Sequence, residues 1–328
     1  MLVWLSIPEG STTDWTFTIV GLVLLLLAGD SLVKGAVNMS LRLGVPAFIV
    51  SLTIVAFGTS APELLISIKA ILGGVPDLAL GNVVGSNTAN VLLVLGVPAL
   101  LAVMHTSGCD TRNSYLQMLG ATVLFIGLAY RGVFDWIAGL ILLTALAGML
   151  IYAGRCAKRH RRACKRVEDD DFGDLEGADP DLPWSKIILY LVLGMIGLPL
   201  GASLLVDGAS EIALSYGVSQ AVIGLTLVAI GTSLPELATT VVAALRNQAD
   251  VALGNVIGSN MFNLLGIIGV ASLVGPIPVG ANFFAFDFWV MLSATLILIP
   301  FVFFKRDLTR IWGVILSALY ITYMLVVL

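Results

Sequence analysis

Apolar runs long enough to cross a bilayer recur along the whole chain, separated by short stretches rich in charge, Gly and Pro. Their spacing predicts ten membrane-spanning helices, over residues 16–43, 46–72, 78–104, 115–130, 134–154, 186–216, 220–245, 251–274, 284–304 and 311–328. A transmembrane β-barrel would instead show short segments of alternating polarity. A few polar positions interrupt the apolar runs, and they do so twice. Val55-Ala-Phe-Gly-Thr-Ser-Ala-Pro-Glu63 is followed by Gly81-Asn-Val-Val-Gly-Ser-Asn-Thr-Ala-Asn90. Val228-Ala-Ile-Gly-Thr-Ser-Leu-Pro-Glu236 is followed by Gly254-Asn-Val-Ile-Gly-Ser-Asn-Met-Phe-Asn263. The offset is constant: 236 − 63 and 263 − 90 are both 173. Between residues 44–96 and 217–269 about half the positions are identical, which marks an internal repeat.

The composition agrees with this pattern. Of 328 residues, 58% are hydrophobic and 12% charged, with mean hydropathy +1.01. That leaves too little charge for a water-facing surface or for nucleic-acid binding, and the expected surroundings are a lipid bilayer. The net charge of −4 carries little meaning because charge concentrates in residues 155–184. That loop is basic first (Arg155, Lys158, Arg159, Arg161, Arg162, Lys165, Arg166) and acidic second, from Glu168 to Asp181. By the positive-inside rule the loop is expected in the cytoplasm and the N-terminus outside. Arg42, Arg112, Arg246, Lys305, Arg306 and Arg310 then fall at the inner boundary, and Arg131 falls outside. Five helices per half make the second half enter from the opposite side. The expected fold is therefore an all-α polytopic membrane protein of two inverted five-helix repeats, with broken helices at the midplane. The expected units are residues 1–154, the loop 155–184 and residues 185–328.

The acidic stretch reads as a solvated linker. The alternative is a weak regulatory calcium site, although the spacing is not that of an EF-hand. Cys109, Cys156 and Cys164 do not suggest a disulfide framework. Cys156, His160 and Cys164 could share a helix face, but the neighbouring Arg and Lys would repel a metal ion. Both histidines, His105 and His160, are expected in loops. Met1 to Asp14 carries no Lys or Arg, so a cleaved leader is not expected, and the first helix would serve as the insertion signal.

The chemistry lies in the repeated motifs. A lone ionised carboxylate in mid-membrane costs about 2.5–3.5 kcal/mol on insertion scales, so Glu63 and Glu236 suggest a site for something positively charged. Pro62 and Pro235 should kink or break their helices, because proline lacks an N–H and clashes with the carbonyls of Gly58 and Gly231. Freed carbonyls at such a break are ligands for hard cations. Thr59 and Glu63 share a helix face. Asn82, Ser86 and Asn90 form a polar stripe, as do Asn255, Ser259 and Asn263. Gly81, Gly85, Gly254 and Gly258 would let helices approach closely. Each feature also has a structural reading. Ser60 to Glu63 and Ser233 to Glu236 fit capping boxes. The Ser and Asn stripes fit helix–helix hydrogen bonding, and Asp77 and Asp250 fit helix N-caps.

At these motifs the chain resembles the sodium/calcium exchanger superfamily of cation/calcium antiporters, in its compact prokaryotic form. The resemblance implies ten helices and exchange of cytoplasmic Ca²⁺ for external Na⁺ by alternating access, with no cofactor and no obligate protein partner. It implies that Glu63 and Glu236 are the central calcium ligands, with the carbonyls of Thr59 and Thr232. It implies sodium sites made by the same carboxylates with Ser86, Ser259 and the carbonyls of Ala56 and Ala229. Ser60, Ser233 and the Thr59 and Thr232 hydroxyls complete the cluster, and Asn90 adds an amide oxygen. Some members carry Asp where this chain has Asn263, so two acidic groups are expected at the centre rather than three, and potassium dependence is not expected. The first and sixth helices, with Gly21, Gly29, Gly35, Gly197, Gly201 and Gly208, would slide as a gate. The nearest rival is a Ca²⁺/H⁺ antiporter in which the two glutamates carry protons. An intramembrane hydrolase would need a nucleophile or a metal motif such as HExxH, which the chain lacks.

Overall fold

The computed structural model describes residues 9–105, 111–164, 179, 181–217 and 229–327. The described helices are α1 (Glu9–Leu43), α2 (Ala47–Thr59), α3 (Ala61–Leu72), α4 (Pro76–Leu101), α5 (Thr111–Ala129) and α6 (Trp136–Cys164). They continue with α7 (Trp184–Ser215), α8 (Ala229–Gly231), α9 (Leu234–Leu245), α10 (Ala249–Val274), α11 (Phe283–Phe303) and α12 (Arg310–Val327). Among the described residues seven helices are long and apolar enough to cross a membrane, or eight when α2 and α3, bent by 41°, count as one span. α5 opens with Thr111-Arg-Asn-Ser, which lowers its hydropathy. The seventh expected span survives as α8 and α9, because residues 220–228 lie outside the described residues. Residues 165–178 and 180 of the 155–184 loop, and Cys109, lie outside them too.

Burial sorts the helices into a centre and a periphery. The most apolar windows of α4 and α10 are 78% and 83% buried, against 22% for α6 and 17% for α12. The outer helices turn large apolar side chains outward, such as Ile311, Leu325 and Trp136. In water this contiguous apolar surface would drive association, whereas lipid accepts it. The protein is an integral membrane protein built around two central helices.

α1 and α7 lie side by side over most of their length. A Cβ on Gly21 would meet Gly201, on Gly208 would meet Asp14, on Gly194 would meet Leu32, and on Gly35 would meet Leu191. Rising numbers on one helix meet falling numbers on the other, so the pair is antiparallel. Lipid gives no hydrophobic drive for helix pairing, and the small residues let the backbones come into van der Waals contact instead. The pair touches the centre at Gly29, which faces the Ala238 backbone. An Asp30 flanked by Lys34 (2.9 Å) and Arg246 adds an ion pair between α1 and the end of α9.

The backbone repeats its conformation at the sequence offset. Left-handed residues occur at Gly44 and Gly217, at Gly74 and Asn247, and at Gly132 and Lys305, each pair 173 apart. Two short pairings follow the same rule. Val133–Phe134 (β1) pairs antiparallel with Ile277–Pro278 (β2), and Met104 exchanges N–H···O bonds of 3.1 and 3.0 Å with Leu308. Met118-Leu-Gly-Ala-Thr122 of α5 recurs as Met291-Leu-Ser-Ala-Thr295 in α11, and each Thr hydroxyl donates to its own Met carbonyl at 3.0 Å. Gly139 of α6 packs on Gly269, as Gly313 of α12 packs on Gly96.

Several expectations need correction. Asp77 and Asp250 do not cap: Val75 and Gln248 occupy the N-cap positions, and the two acids sit in the first turns, where the helix dipole favours them. A side-chain cap does occur at Asp135, which accepts from the Ala138 N–H at 2.9 Å. That bond, with the Arg131 charge, holds its carboxyl below the usual range. His160 is not in a loop, because α6 runs on to Cys164. Gly254 and Gly258 do allow close approach, to the Phe48 and Leu52 carbonyls. The equivalent neighbours of Gly81 and Gly85 fall near residues 221–228, outside the described residues.

Gly194→Val should force α1 from α7, because even a Cβ there would lie 2.5 Å from that of Leu32. Overpacking of this kind costs about 1–3 kcal/mol. A lowered melting temperature in detergent, with Gly148→Val as the control, is the expected result.

Candidate functional site

The break in each motif places the functional side chains. Pro62 and Pro235 stand in the first turns of α3 and α9, where their missing N–H is tolerated. Ahead of them Ser60 (φ −87°, ψ 3°) and Ser233 (φ −90°, ψ 4°) take the same bridge conformation. Glu63 and Glu236 then fall in the first turns of their half-helices, whose positive dipole ends favour negative charge. A π-helical stretch, Ser51–Val55, leads into the first break, and another, Phe262–Ile267, carries Asn263. Such stretches leave carbonyls off the regular ladder and recur at functional sites.

Both carboxylates are completely buried. Glu236 Oε1 accepts from the Ser60 hydroxyl at 3.1 Å, and its Oε2 has no partner. Neither oxygen of Glu63 has one. Thr59 Oγ1 lies 3.3 Å from Asn255 Oδ1, 3.4 Å from Ser259 Oγ and 3.3 Å from the Ala56 carbonyl. Asn255 Nδ2 in turn donates to Thr240 Oγ1 at 3.3 Å, as the equivalent Asn82 does to Ser67 at 3.5 Å. Asn90 Nδ2 donates to Asn260 Oδ1 at 3.0 Å, and Asn90 Oδ1 is left without a partner. Ser233 Oγ and both polar atoms of the Asn263 amide are also buried and unpartnered.

The capping-box readings do not hold. Neither Ser60 nor Ser233 makes a side-chain cap bond, and Ser60 reaches across to the other motif's glutamate instead. Of the expected residues, Thr59, Ser60, Glu236 and Ser259 are joined directly. The Glu236 charge also acts on Glu63. Asn90, Asn263, Ser86 and Ser233 are buried on the same broken and central helices, α4, α9 and α10 with the turn before α9. Thr232 lies half-buried in the turn before Ser233, Ala229 opens α8, and the Ala56 carbonyl accepts from Thr59. Asn260 and Thr240 belong to the network beside the stripe residue Asn255, whereas Asn87 bonds only its own helix at Val83. Asn87 and Asn260 stand one position after the motif serines, off the four-residue stripe, and only the structure brings Asn260 against Asn90.

Chemically, this is a set of carboxylate, hydroxyl and amide oxygens without thiol or imidazole. Among the described residues there is no cluster of three or more His, Cys, Asp or Glu. An all-oxygen set suits hard cations such as Na⁺ and Ca²⁺, and unpartnered buried oxygens on both broken helices fit a cation received as cargo.

The apolar helices and the all-oxygen group where two broken helices meet are those of a membrane transporter class rather than of a soluble protein. The model of the family described as "Sodium/calcium exchanger protein" matches residues 13–154 and 186–328. The sodium/calcium exchanger MaX1 of Methanosarcina acetivorans is 34% identical over 349 residues, covering 96% of this chain and 98% of the relative. Inner membrane protein YrbG of Escherichia coli is 33% identical over 280 residues, covering 85% of each. A structure of the sodium-calcium exchanger NCX_Mj, soaked with Na⁺ and Sr²⁺, superimposes with a TM-score of 0.79 at 31% identity, covering 95% of this chain and 97% of that one. The chain belongs to the sodium/calcium exchanger family, in its compact prokaryotic form. It is a family of exchangers, which agrees with the reading of a transporter rather than an enzyme.

Glu63→Gln removes a buried carboxyl group neither of whose oxygens has a partner. In choline buffer with a chelator the variant should melt at a higher temperature than wild type, by an amount worth about 1–3 kcal/mol. Added Ca²⁺ should raise the wild-type melting temperature and leave the variant's unchanged.

Proposed function

We propose that the protein is a secondary antiporter that exchanges Ca²⁺ for Na⁺ by alternating access. The observation that carries this reading is the group of buried, unpartnered oxygens on Glu63, Ser233, Glu236, Asn90 and Asn263. Burying them without a partner costs free energy, and a hard cation would recover it. Family membership supports Na⁺ and Ca²⁺ as that cation, as do a relative named as a sodium/calcium exchanger and a neighbour soaked with Na⁺ and Sr²⁺.

In this reading Glu63 and Glu236 hold Ca²⁺ with the carbonyls of Thr59 and Thr232. Na⁺ uses the same carboxylates with Ser86, Ser259, Ser60, Ser233, Asn90, Asn263, the two threonine hydroxyls and the carbonyls of Ala56 and Ala229. Two negative charges balance one Ca²⁺ or a set of Na⁺, not both together, and this competition couples the fluxes. With more than two Na⁺ per Ca²⁺ the exchange is electrogenic, and the membrane potential contributes about 2.3 kcal/mol per net charge per 100 mV. External Na⁺ entering then drives cytoplasmic Ca²⁺ out.

The architecture that goes with this function is ten helices in two inverted repeats, residues 1–154 and 185–328, joined by the loop 155–184. The paired left-handed residues and the paired Gly–Gly crossings support it. The N-terminus faces outward and the loop lies in the cytoplasm of a cell whose inner, or plasma, membrane holds the protein. The α1–α7 pair, which rests on small residues against the centre, is the moving part.

The test is ⁴⁵Ca²⁺ uptake into proteoliposomes of the purified protein under an outward Na⁺ gradient or an outward H⁺ gradient. Uptake should follow Na⁺, persist when the pH gradient is collapsed, rise with an inside-positive potential and disappear in Glu63→Gln and Glu236→Gln. Uptake that follows only H⁺ would keep the site and change the coupling ion. Undiminished uptake in both variants would show that the carboxylates do not hold the cargo.

A further inference from the structure

We propose that Asn260 is a positioning residue that fixes which end of the Asn90 carboxamide faces the transported cation, an inference that rests on the cation-transport reading above. A carboxamide has one end that attracts a cation and one that repels it, and the two have nearly the same shape. Asn90 Nδ2 is engaged by Asn260 Oδ1 at 3.0 Å, which leaves Asn90 Oδ1 as the free atom. Both residues are 1% exposed, so water does not compete for either.

What fixes Asn260 itself is Met118 of α5. Asn260 Nδ2 lies 3.7 Å from the Met118 sulfur, and that methionine is fully buried. A thioether accepts a weak hydrogen bond and cannot donate one. Turning Asn260 over would set its oxygen against the sulfur and present its NH₂ to Asn90. Asn90 would then have to turn over as well, and its own NH₂ would take the free position. The order from sulfur to Asn260 to Asn90 therefore selects one arrangement of two otherwise ambiguous amides.

The repeat-related arrangement lacks this device although it has the same two asparagines. Asn87, the counterpart of Asn260, donates to its own helix carbonyl at Val83 (2.7 Å), and its Oδ1 has no partner. Asn263, the counterpart of Asn90, has neither amide atom engaged. One carboxamide is thus fixed in advance, and the other is free to turn toward whatever ion arrives.

The experiment measures KM for Ca²⁺ and Vmax in Na⁺-driven ⁴⁵Ca²⁺ uptake by the full-length protein in proteoliposomes. Asn260→Leu should raise KM about 10-fold, the usual scale for losing an orienting partner of a metal ligand, with Vmax little changed. Asn260→Asp keeps an acceptor for Asn90 Nδ2 and should hold KM near the wild-type value. In an Asn90→Ala background, Asn260→Leu should change KM no further, because the residue acts through Asn90. An unchanged KM in Asn260→Leu, an equal loss in Asn260→Asp, or additive effects in the double variant would overturn the proposal. Should Asn260→Leu fail to fold, Met118→Leu removes only the sulfur acceptor. It must then raise KM in the wild-type background and not in Asn90→Ala, and the absence of that rise overturns the proposal. Absence of uptake by the wild-type protein would overturn the transport reading, and this proposal with it.

Discussion

Two buried carboxylates that form no ion pair among the described residues are the constraint on which the rest of the structure depends. The described Lys34 and Arg246 are engaged by Asp30, and Lys69, on the same half-helix as Glu63, is exposed in its last turn. A permanent Lys or Arg partner would neutralise the site and leave nothing for a mobile cation to do. The protein instead softens the cost with fixed dipoles: the N-terminal ends of α3 and α9, the Ser60 hydroxyl and the polar stripe of α10. These lower the penalty without cancelling the charge, which is the condition a reversible cation site must meet. The broken helices follow from the same need, since proline in the first turn of a half-helix is the simplest way to bring a helix N-terminus into the middle of a membrane.

The duplication supplies two of everything, yet the two copies are not in the same state. Ser60 bonds Glu236, whereas the equivalent Ser233 and Glu63 are both unpartnered. Asn90 bonds Asn260, whereas Asn263 and Asn87 do not meet the same way. Equal sequence in the two motifs therefore does not mean equal geometry. A two-fold sequence repeat with a one-sided hydrogen-bond pattern is the kind of asymmetry that the alternating access proposed above would use.

Much of this was legible in the sequence, for identifiable reasons. Long apolar runs fix most helix ends: seven of the ten expected spans fall within a few residues of described helices, the exceptions being the first, which begins earlier, at Glu9, the fifth, which runs on into the basic stretch, and the seventh, part of which lies outside the described residues. The paired motifs named the carboxylates and the breaks. Capping was misread because Ser-x-x-Glu has one local meaning in a soluble helix, and here the serine found a better acceptor on the other half. The recurrence of Met118 and Thr122 as Met291 and Thr295 escaped notice because outer apolar helices conserve composition more than order. The left-handed residues escaped for another reason: Asn247 and Lys305 do not look like Gly74 and Gly132, and only the backbone angles identify them as equivalents.

The amides differ in kind from the other oxygens in the site. A carboxylate offers two equal oxygens, and a hydroxyl can rotate its proton away from a cation, so neither needs to be told which way to face. A carboxamide does, because a half-turn replaces an attractive oxygen with a repulsive NH₂. Asn at position 263 brings no charge and carries this directional problem. On the Asn90 side the problem is solved by a neighbour that can only accept from one end. On the Asn263 side neither amide atom has a partner, so no neighbour fixes which end faces inward.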